Sequence, residues 1–213
     1  MKENNLAYEK SGEFLSNKTI VFDLDETLVH SQVLSSKNKV IKKNEAEALI
    51  LQIQTGEDSV KTAKVFIRPG MFKMLTELKE AGFELILFTA GNVHYMKSIV
   101  EQVFTTDRIP QGTKVFSHML SRDEMRVLAD LTTHTGELVK DLQCLLEDRN
   151  LKNIVLVDNS EQKAQLQPKN LVPCFDFKGE GDDDYCHSLT EYLKEFLKVS
   201  DVRNKIIKDF HEF

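Results

Sequence analysis

Four short runs of β-branched, aliphatic and aromatic residues recur along the chain, each followed by a polar residue: Thr19 to Leu24, Val65 to Ile67, Phe83 to Phe88 and Asn153 to Val157. Between them lie segments whose apolar residues repeat with helical spacing. Pro69-Gly70 opens one such segment, in which Met71, Leu75 and Leu78 share a face and Gly82 closes the helix. Further expected elements are a helix over Val93 to Val103, a strand over Lys114 to Ser117, a helix over Leu138 to Leu146 and a short helix ending before Pro168. Strands that alternate with helices predict an α/β fold with a mainly parallel sheet flanked by helices.

The 213 residues, 41% of them apolar, suffice for one domain with a sizeable core and exclude disorder as the main state. Residues 1–17 read as a polar lead and 18–213 as the domain, with 31–64 a small insertion of short strands or a helix. That insertion carries Lys37, Lys39, Lys42 and Lys43, read as a solvated charged loop, and the turn signal Thr55-Gly56-Glu57-Asp58. The chain's end is expected to be helical, with Leu189, Leu193, Phe196 and Leu197 in one stripe and Val202, Ile206, Phe210 and Phe213 in another. Apolar runs such as Leu85 to Phe88 are far shorter than the roughly 20 residues that cross a bilayer. The start MKENNLAYEK lacks the apolar core of a signal peptide, so a soluble protein of the nucleus or cytoplasm is expected. Cys144, Cys174 and Cys186 are odd in number and read as free thiols. A net charge of −6 argues against direct nucleic-acid binding, which needs clustered cations.

Ligands of parallel sheets bind beyond the carboxyl ends of the strands, so the polar residues just past each apolar run are the candidates. Asp23 and Asp25, two apart on an extended strand end, point the same way, and their repulsion calls for a cation or a shared proton. A hard divalent ion, most plausibly magnesium, fits oxygen ligands. Thr89, with Ala90 and Gly91 behind it, offers a hydroxyl and open amides to a small anion. Lys140 can neutralise that anion, and Asp158-Asn159 adds a carboxylate and a carboxamide oxygen for a metal shell.

These blocks resemble the haloacid dehalogenase superfamily of aspartate-dependent phosphatases, in the branch of small phosphatases that act on the RNA polymerase II C-terminal domain. The resemblance rests on Asp23-Leu24-Asp25-Glu26-Thr27-Leu28-Val29-His30, Arg68-Pro69-Gly70, Phe88-Thr89-Ala90, Val139-Lys140-Asp141-Leu142 and Val157-Asp158-Asn159-Ser160, and runs from Lys18 to Leu197. It implies a Rossmann-like core, Asp23 as nucleophile and Asp25 as general acid and base. It further implies magnesium held by Asp23, the Asp25 carbonyl and Asp158 or Asn159, and a phosphoryl group bound by Thr89 and Lys140, with Arg68 a further phosphate contact. The implied partner is a phosphorylated protein, with the polymerase tail as prototype. A binding module of the same fold without catalysis and a small-metabolite phosphatase are the competing readings. The chain departs from the family in reading Thr133-His134-Thr135-Gly136 where an Arg usually precedes the Gly, and in a longer connection over Lys114 to Thr135.

Other features read as structural. Asp182-Asp183-Asp184 suits the start of the following helix, Gly179-Glu180-Gly181 suits a turn, and His30 is expected to support the nucleophile loop.

Overall fold

A computed structural model of the protein describes residues 17–34, 44–105, 108, 115–130 and 135–211. Its strands are β1 (Thr19–Phe22), β2 (Val29–Val33), β3 (Ala48–Gly56), β4 (Ser59–Ile67), β5 (Glu84–Phe88), β6 (His118–Leu120), β7 (Arg126–Asp130), β8 (Thr135–Val139), β9 (Ile154–Asp158) and β10 (Leu171–Pro173). The α-helices are α1 (Met71–Glu80), α2 (Val93–Val103), α3 (Tyr185–Lys194) and α4 (Val202–Phe210).

Five strands in the order β10-β9-β1-β5-β6 form an all-parallel sheet. Its central strands read as unbroken apolar runs because both faces are covered. Alternate residues serve different faces. Ile20, Phe22, Leu85, Leu87, Val155 and Val157 meet the apolar stripes of α1 to α4. Val21, Ile86, Phe88, Ile154 and Leu156 meet Leu142, Leu145 and Ala164 from short 3₁₀ turns. Each such side chain contributes about 1.5–3 kcal/mol by leaving water.

Register sets the position of the polar residues. Phe22 is aligned with Val157 on one side and Leu87 on the other, so the residues that follow these three strands emerge at one edge. The chain runs outward from β1 to β5 and β6, then returns to β9 on β1's opposite side. That reversal opens a crevice at the carboxyl ends of β1 and β9.

The region expected as an insertion folds as an antiparallel sheet, β2-β4-β3, that begins at Val29 and ends at Ile67. Ile53 enters the main core, with Leu49 and Leu51 packed against it. The backbone at β3 is tied to α2 and its cap: Gln54 N–H donates to Ser98 Oγ (3.0 Å), Gln102 Nε2 to the Gln52 carbonyl (2.9 Å), and Asn92 Nδ2 to the Thr55 carbonyl (3.0 Å). Lys37, Lys39, Lys42, Lys43, Lys114, Thr133, His134 and Phe213 lie outside the described residues.

Three expected elements differ. Leu138 to Leu146 is not a helix: β8 pairs antiparallel with β7, and a 3₁₀ turn over Leu142–Leu145 follows. Leu138, Leu142 and Leu145 have helical spacing in the sequence, but the Asp141 side chain accepts the Gln143 N–H and starts a separate turn. The strand expected at Lys114 to Ser117 lies later, at His118–Leu120, while Phe116 packs edge-on against Phe104 at 5.3 Å. The short helix before Pro168 is a single 3₁₀ turn, Glu161–Ala164, and a second turn, Pro168–Asn170, starts at the proline. At the chain's end, Leu189, Leu193, Phe196, Val202 and Ile206 enter the core, and Leu197 stays exposed.

The amino ends of the strands are fastened by Glu84, which is 6% exposed. It accepts hydrogen bonds from Thr19 Oγ1 (2.8 Å), Ser117 Oγ (2.7 Å), Arg149 Nε (2.7 Å) and Arg149 Nη2 (2.5 Å). Burial alone would push its carboxyl up, but the bonds from Arg149, Ser117 and Thr19 outweigh it and hold the group below the usual range. Arg149→Ala is expected to cost about 3 kcal/mol in urea unfolding at neutral pH, because it strands a buried charge. Glu84's contribution exists above its unfolded pKa and is lost as pH falls through the depressed folded value, so the variant's deficit should shrink at acid pH.

Candidate active site

Asp23 leaves β1 into a tight loop. Its N–H donates to the Val157 carbonyl (2.9 Å), which extends the β1–β9 pairing by one residue. Glu26 then takes a left-handed conformation with φ 59°, held by its N–H to the Val29 carbonyl (2.7 Å) and by the Phe177 N–H on its own carbonyl (2.8 Å). A non-glycine residue in that region costs of order 1 kcal/mol and persists only where its surroundings fix it. The His30 ring stacks on Phe66 with centroids 6.0 Å apart, and its Nδ1 lies 3.3 Å from Glu26 Oε1.

Lys140 is the centre of the cluster. It leaves the end of β8 fully buried, and its ammonium donates to Asp23 Oδ1 (2.5 Å) and Asp158 Oδ2 (2.6 Å). Asp158 Oδ1 accepts the Ser160 N–H (2.8 Å), so both Asp158 oxygens are engaged. Burial would push the Lys140 ammonium down, yet Asp23 and Asp158 raise it and keep it charged. At Asp23 the balance is reversed. Burial pushes its carboxyl up to about 7, Lys140 lowers it in part, and the neighbouring Asp158 and Asp25 raise it again.

Asp25 faces a different set of partners. Thr89 Oγ1 donates to Asp25 Oδ2 (3.4 Å), and the Tyr95 hydroxyl donates a short bond to Oδ1. Burial raises the Asp25 carboxyl, offset in part by the bonds from Tyr95 and Thr89. The Tyr95 hydroxyl is itself pushed up, first by burial and then by Asp25, so it stays a donor. Thr89 is wholly buried and its Oγ1 accepts the Gly91 N–H (3.0 Å). A Cβ on Gly91 would lie 2.6 Å from the Tyr95 ring, so the turn needs glycine there.

Six of the seven residues singled out in the sequence thus line one rim: Asp23, Asp25, Thr89, Lys140, Asp158 and Asn159. Arg68 is the exception. Its side chain is 2% exposed and donates through Nε and Nη2 to Asp183 (3.1 and 2.9 Å) and through Nη1 to the Thr27 carbonyl (3.0 Å). The Tyr185 ring lies 4.6 Å from the guanidinium carbon. With all three nitrogens bonded, Arg68 braces the back of the Asp23 loop, a different setting from that expected of a phosphate contact. Asp183, expected only to favour the helix start, is its counter-ion. Lys140 is likewise corrected in setting, since it follows a strand and does not start a helix.

Tyr95 escaped the sequence reading, although Asn92 is a recognisable helix cap whose Oδ1 accepts the Tyr95 N–H (2.9 Å). A cap two residues after the Thr89 loop fixes where the first turn of α2 points its side chains. Cys174 and Cys186 are buried free thiols and Cys144 is an exposed one.

The donors on this rim suit a hard cation. They are oxygens only: the Asp23 and Asp158 carboxylates, the Asn159 carboxamide and the main chain of the loop. Among the described residues no three His, Cys, Asp or Glu side chains converge as a ready-made metal cage. Magnesium keeps several waters and takes one or two carboxylates, so such a set fits it.

Residues 18–203 match the family described as NLI interacting factor-like phosphatase. The chain is 32% identical over 187 residues to a "Probable C-terminal domain small phosphatase" of Dictyostelium discoideum, covering 87% of this chain and 53% of that protein. It is 28% identical over 184 residues to the human "Carboxy-terminal domain RNA polymerase II polypeptide A small phosphatase 1", covering 86% and 60%. The chain spans about half the length of the first curated relatives it matches. Among solved structures, the fission yeast RNA polymerase II CTD phosphatase Fcp1 bound to beryllium fluoride superposes with a TM-score of 0.55 at 17% identity, over 91% of this chain and 54% of that one. This likeness establishes the fold.

Replacing Lys140 by Met leaves Asp23 and Asp158 buried without their shared cation. The expected loss is about 3–5 kcal/mol by urea unfolding. It should be largest at alkaline pH and shrink as pH falls toward about 7, because Asp23 without Lys140 takes up its proton at a higher pH than it does beside the ammonium, and one charge disappears.

Proposed function

Because the chain belongs to the NLI interacting factor-like phosphatase family, we propose that it is a magnesium-dependent phosphoprotein phosphatase acting on phosphoserine or phosphothreonine through an aspartyl-phosphate. The observation that carries this reading is the division of labour between the two loop carboxylates. Asp23 lies against the Lys140 ammonium at 2.5 Å, whereas Asp25 lies between the Thr89 and Tyr95 hydroxyls. The fixed cation favours the ionised form of Asp23, while burial raises Asp25 toward the range in which it can take up and release a proton, so the two acids have environments suited to different roles.

In the first half-reaction an Asp23 carboxylate oxygen attacks phosphorus and the ester P–O bond breaks. The departing oxygen takes the proton held on Asp25. In the second, Asp25 accepts a proton from the water that attacks phosphorus, and the Asp23–phosphate bond breaks to release inorganic phosphate. Thr89 Oγ1 and the amides of its loop bind phosphoryl oxygens, with Lys140 placed to balance charge on them. Arg68 fixes the loop carbonyl at Thr27 so that Asp23 and Asp25 keep their spacing. The Asp23 carboxylate, the Asp25 carbonyl and the Asn159 carboxamide would hold magnesium, which would supply charge neutralisation to the transferring phosphoryl group. Asn159 is preferred over Asp158 as the donor because Lys140 and the Ser160 amide already occupy Asp158.

A protein substrate is favoured over a free metabolite by the form of the insertion. The β2-β4-β3 sheet is pinned to α2 by Ser98 and Gln102, which suits a fixed wall beside an extended segment better than a cap that closes over a free metabolite. The relatives named for the RNA polymerase II C-terminal domain make such a tail the leading substrate class.

Phosphate release from phosphoserine, phosphothreonine and phosphotyrosine peptides and from an aryl phosphate tests the proposal. Release should require magnesium, vanish with chelator and be abolished by Asp23→Asn. Turnover of the aryl phosphate with no peptide cleaved would keep the chemistry and discard the protein substrate; no turnover at all would favour a binding module.

Asp25→Asn should lower kcat on peptides by about 10²–10⁴-fold. Its effect should be smaller on an aryl phosphate, whose leaving group needs no proton.

A further inference from the structure

The carboxamide of Asn159 is held at both ends. Thr27 Oγ1 donates to its Oδ1 at 3.3 Å, and its Nδ2 donates to Asp176 Oδ1 at 2.9 Å. The two grips come from different parts of the fold. Thr27 belongs to the Asp23 loop and is 3% exposed, while Asp176 lies just past β10. The pairing of Pro173 with Asp158 brings Asp176 beside the end of β9. Lys178 Nζ, 2.9 Å from Asp176 Oδ2, steadies the carboxylate from the outside.

A carboxamide offers an oxygen and an amino group at nearly the same reach, and its partners decide which end faces a site. The Thr27 hydroxyl does not decide it, since a hydroxyl both donates and accepts. Asp176 does. A carboxylate has no proton to give, so it takes the amino end and leaves the oxygen turned toward the Asp23 loop. Such outer partners commonly set the affinity of a metal site.

We infer that Asp176 is a positioning residue, which orients the Asn159 carboxamide so that its oxygen serves the cation of the Asp23 loop. This rests on the reading of Asn159 as a magnesium donor given above.

The test is the thermal unfolding of the full chain during titration with magnesium chloride, which reads metal binding without turnover. Asp176→Ala should raise half-saturating magnesium about 10-fold or more, with the unfolding temperature of the metal-free protein unchanged. Asp176→Asn keeps an acceptor but admits either orientation, and should fall between wild type and Ala. Lys178→Ala leaves the Asn159 bond in place and should titrate like wild type.

The inference is overturned if Asp176→Ala binds magnesium like wild type while Asn159→Ala is weakened. It is also overturned if Asp176→Asn is as weak as Ala, which would make the surface charge the cause, or if Lys178→Ala matches Asp176→Ala. If Asn159→Ala itself titrates like wild type, the donor assignment falls, and the role of Asp176 falls with it.

Discussion

One buried ammonium organises the carboxyl edge of the parallel sheet. Lys140 joins Asp23 at the end of β1 to Asp158 at the end of β9, residues 117 and 18 positions away in sequence. Adjacent parallel strands in register deliver the two carboxylates side by side, and without a cation between them their repulsion would oppose the pairing. Lys140 is held in turn by its own backbone: its N–H donates to the Lys163 carbonyl (2.8 Å), and Lys163 Nζ donates to the Leu138 carbonyl (3.0 Å). The strand β8 and the turn at Glu161–Ala164 are thereby fixed to each other before the ammonium reaches into the core.

Around that centre the loop from Asp23 to His30 is constrained from three sides. Arg68 binds the Thr27 carbonyl, Phe177 N–H binds the Glu26 carbonyl, and Thr27 Oγ1 reaches Asn159. Arg68 is in turn tied to Asp183, at the turn that starts α3, so the last part of the chain holds the Asp23 loop in shape. A buried pair of this kind adds little net stability, because desolvation offsets attraction. Its physical effect is geometric: a charged fork bonded on every nitrogen tolerates few alternative positions for the loop.

The parallel core was legible in the sequence because strands covered on both faces are written as continuous apolar runs, and helices such as Val93–Val103 as periodic ones. The rim was legible for the same reason, since Asp23, Thr89 and Asp158 each close such a run or directly follow it. What failed was local pattern without partner information. Leu138 and Leu142 have helical spacing, yet a strand and a 3₁₀ turn also bury Leu142 once β7 supplies a pairing partner. Arg68 looked like an anion ligand because its counter-ion lies 115 residues away in sequence. Tyr95 and Asp176 lacked any signal of their own, and only the folded chain shows that they hold Asp25 and Asn159.

The charge balance at the rim links metal and substrate. Two carboxylates, Asp23 and Asp158, share one buried ammonium, with Asp25 beside them bonded by the Thr89 and Tyr95 hydroxyls. In the proposed reaction a dianionic phosphoryl group would meet a cation already committed to two oxygens. A divalent ion at the Asp23 loop would add positive charge there, so each would favour the binding of the other, and by linkage the coupling free energy would be the same in both directions. In a chain of net charge −6 such a local balance would matter more than any long-range attraction to an anionic substrate, and in the proposed reaction it is concentrated at the edge where β1, β5, β8 and β9 deliver their polar residues.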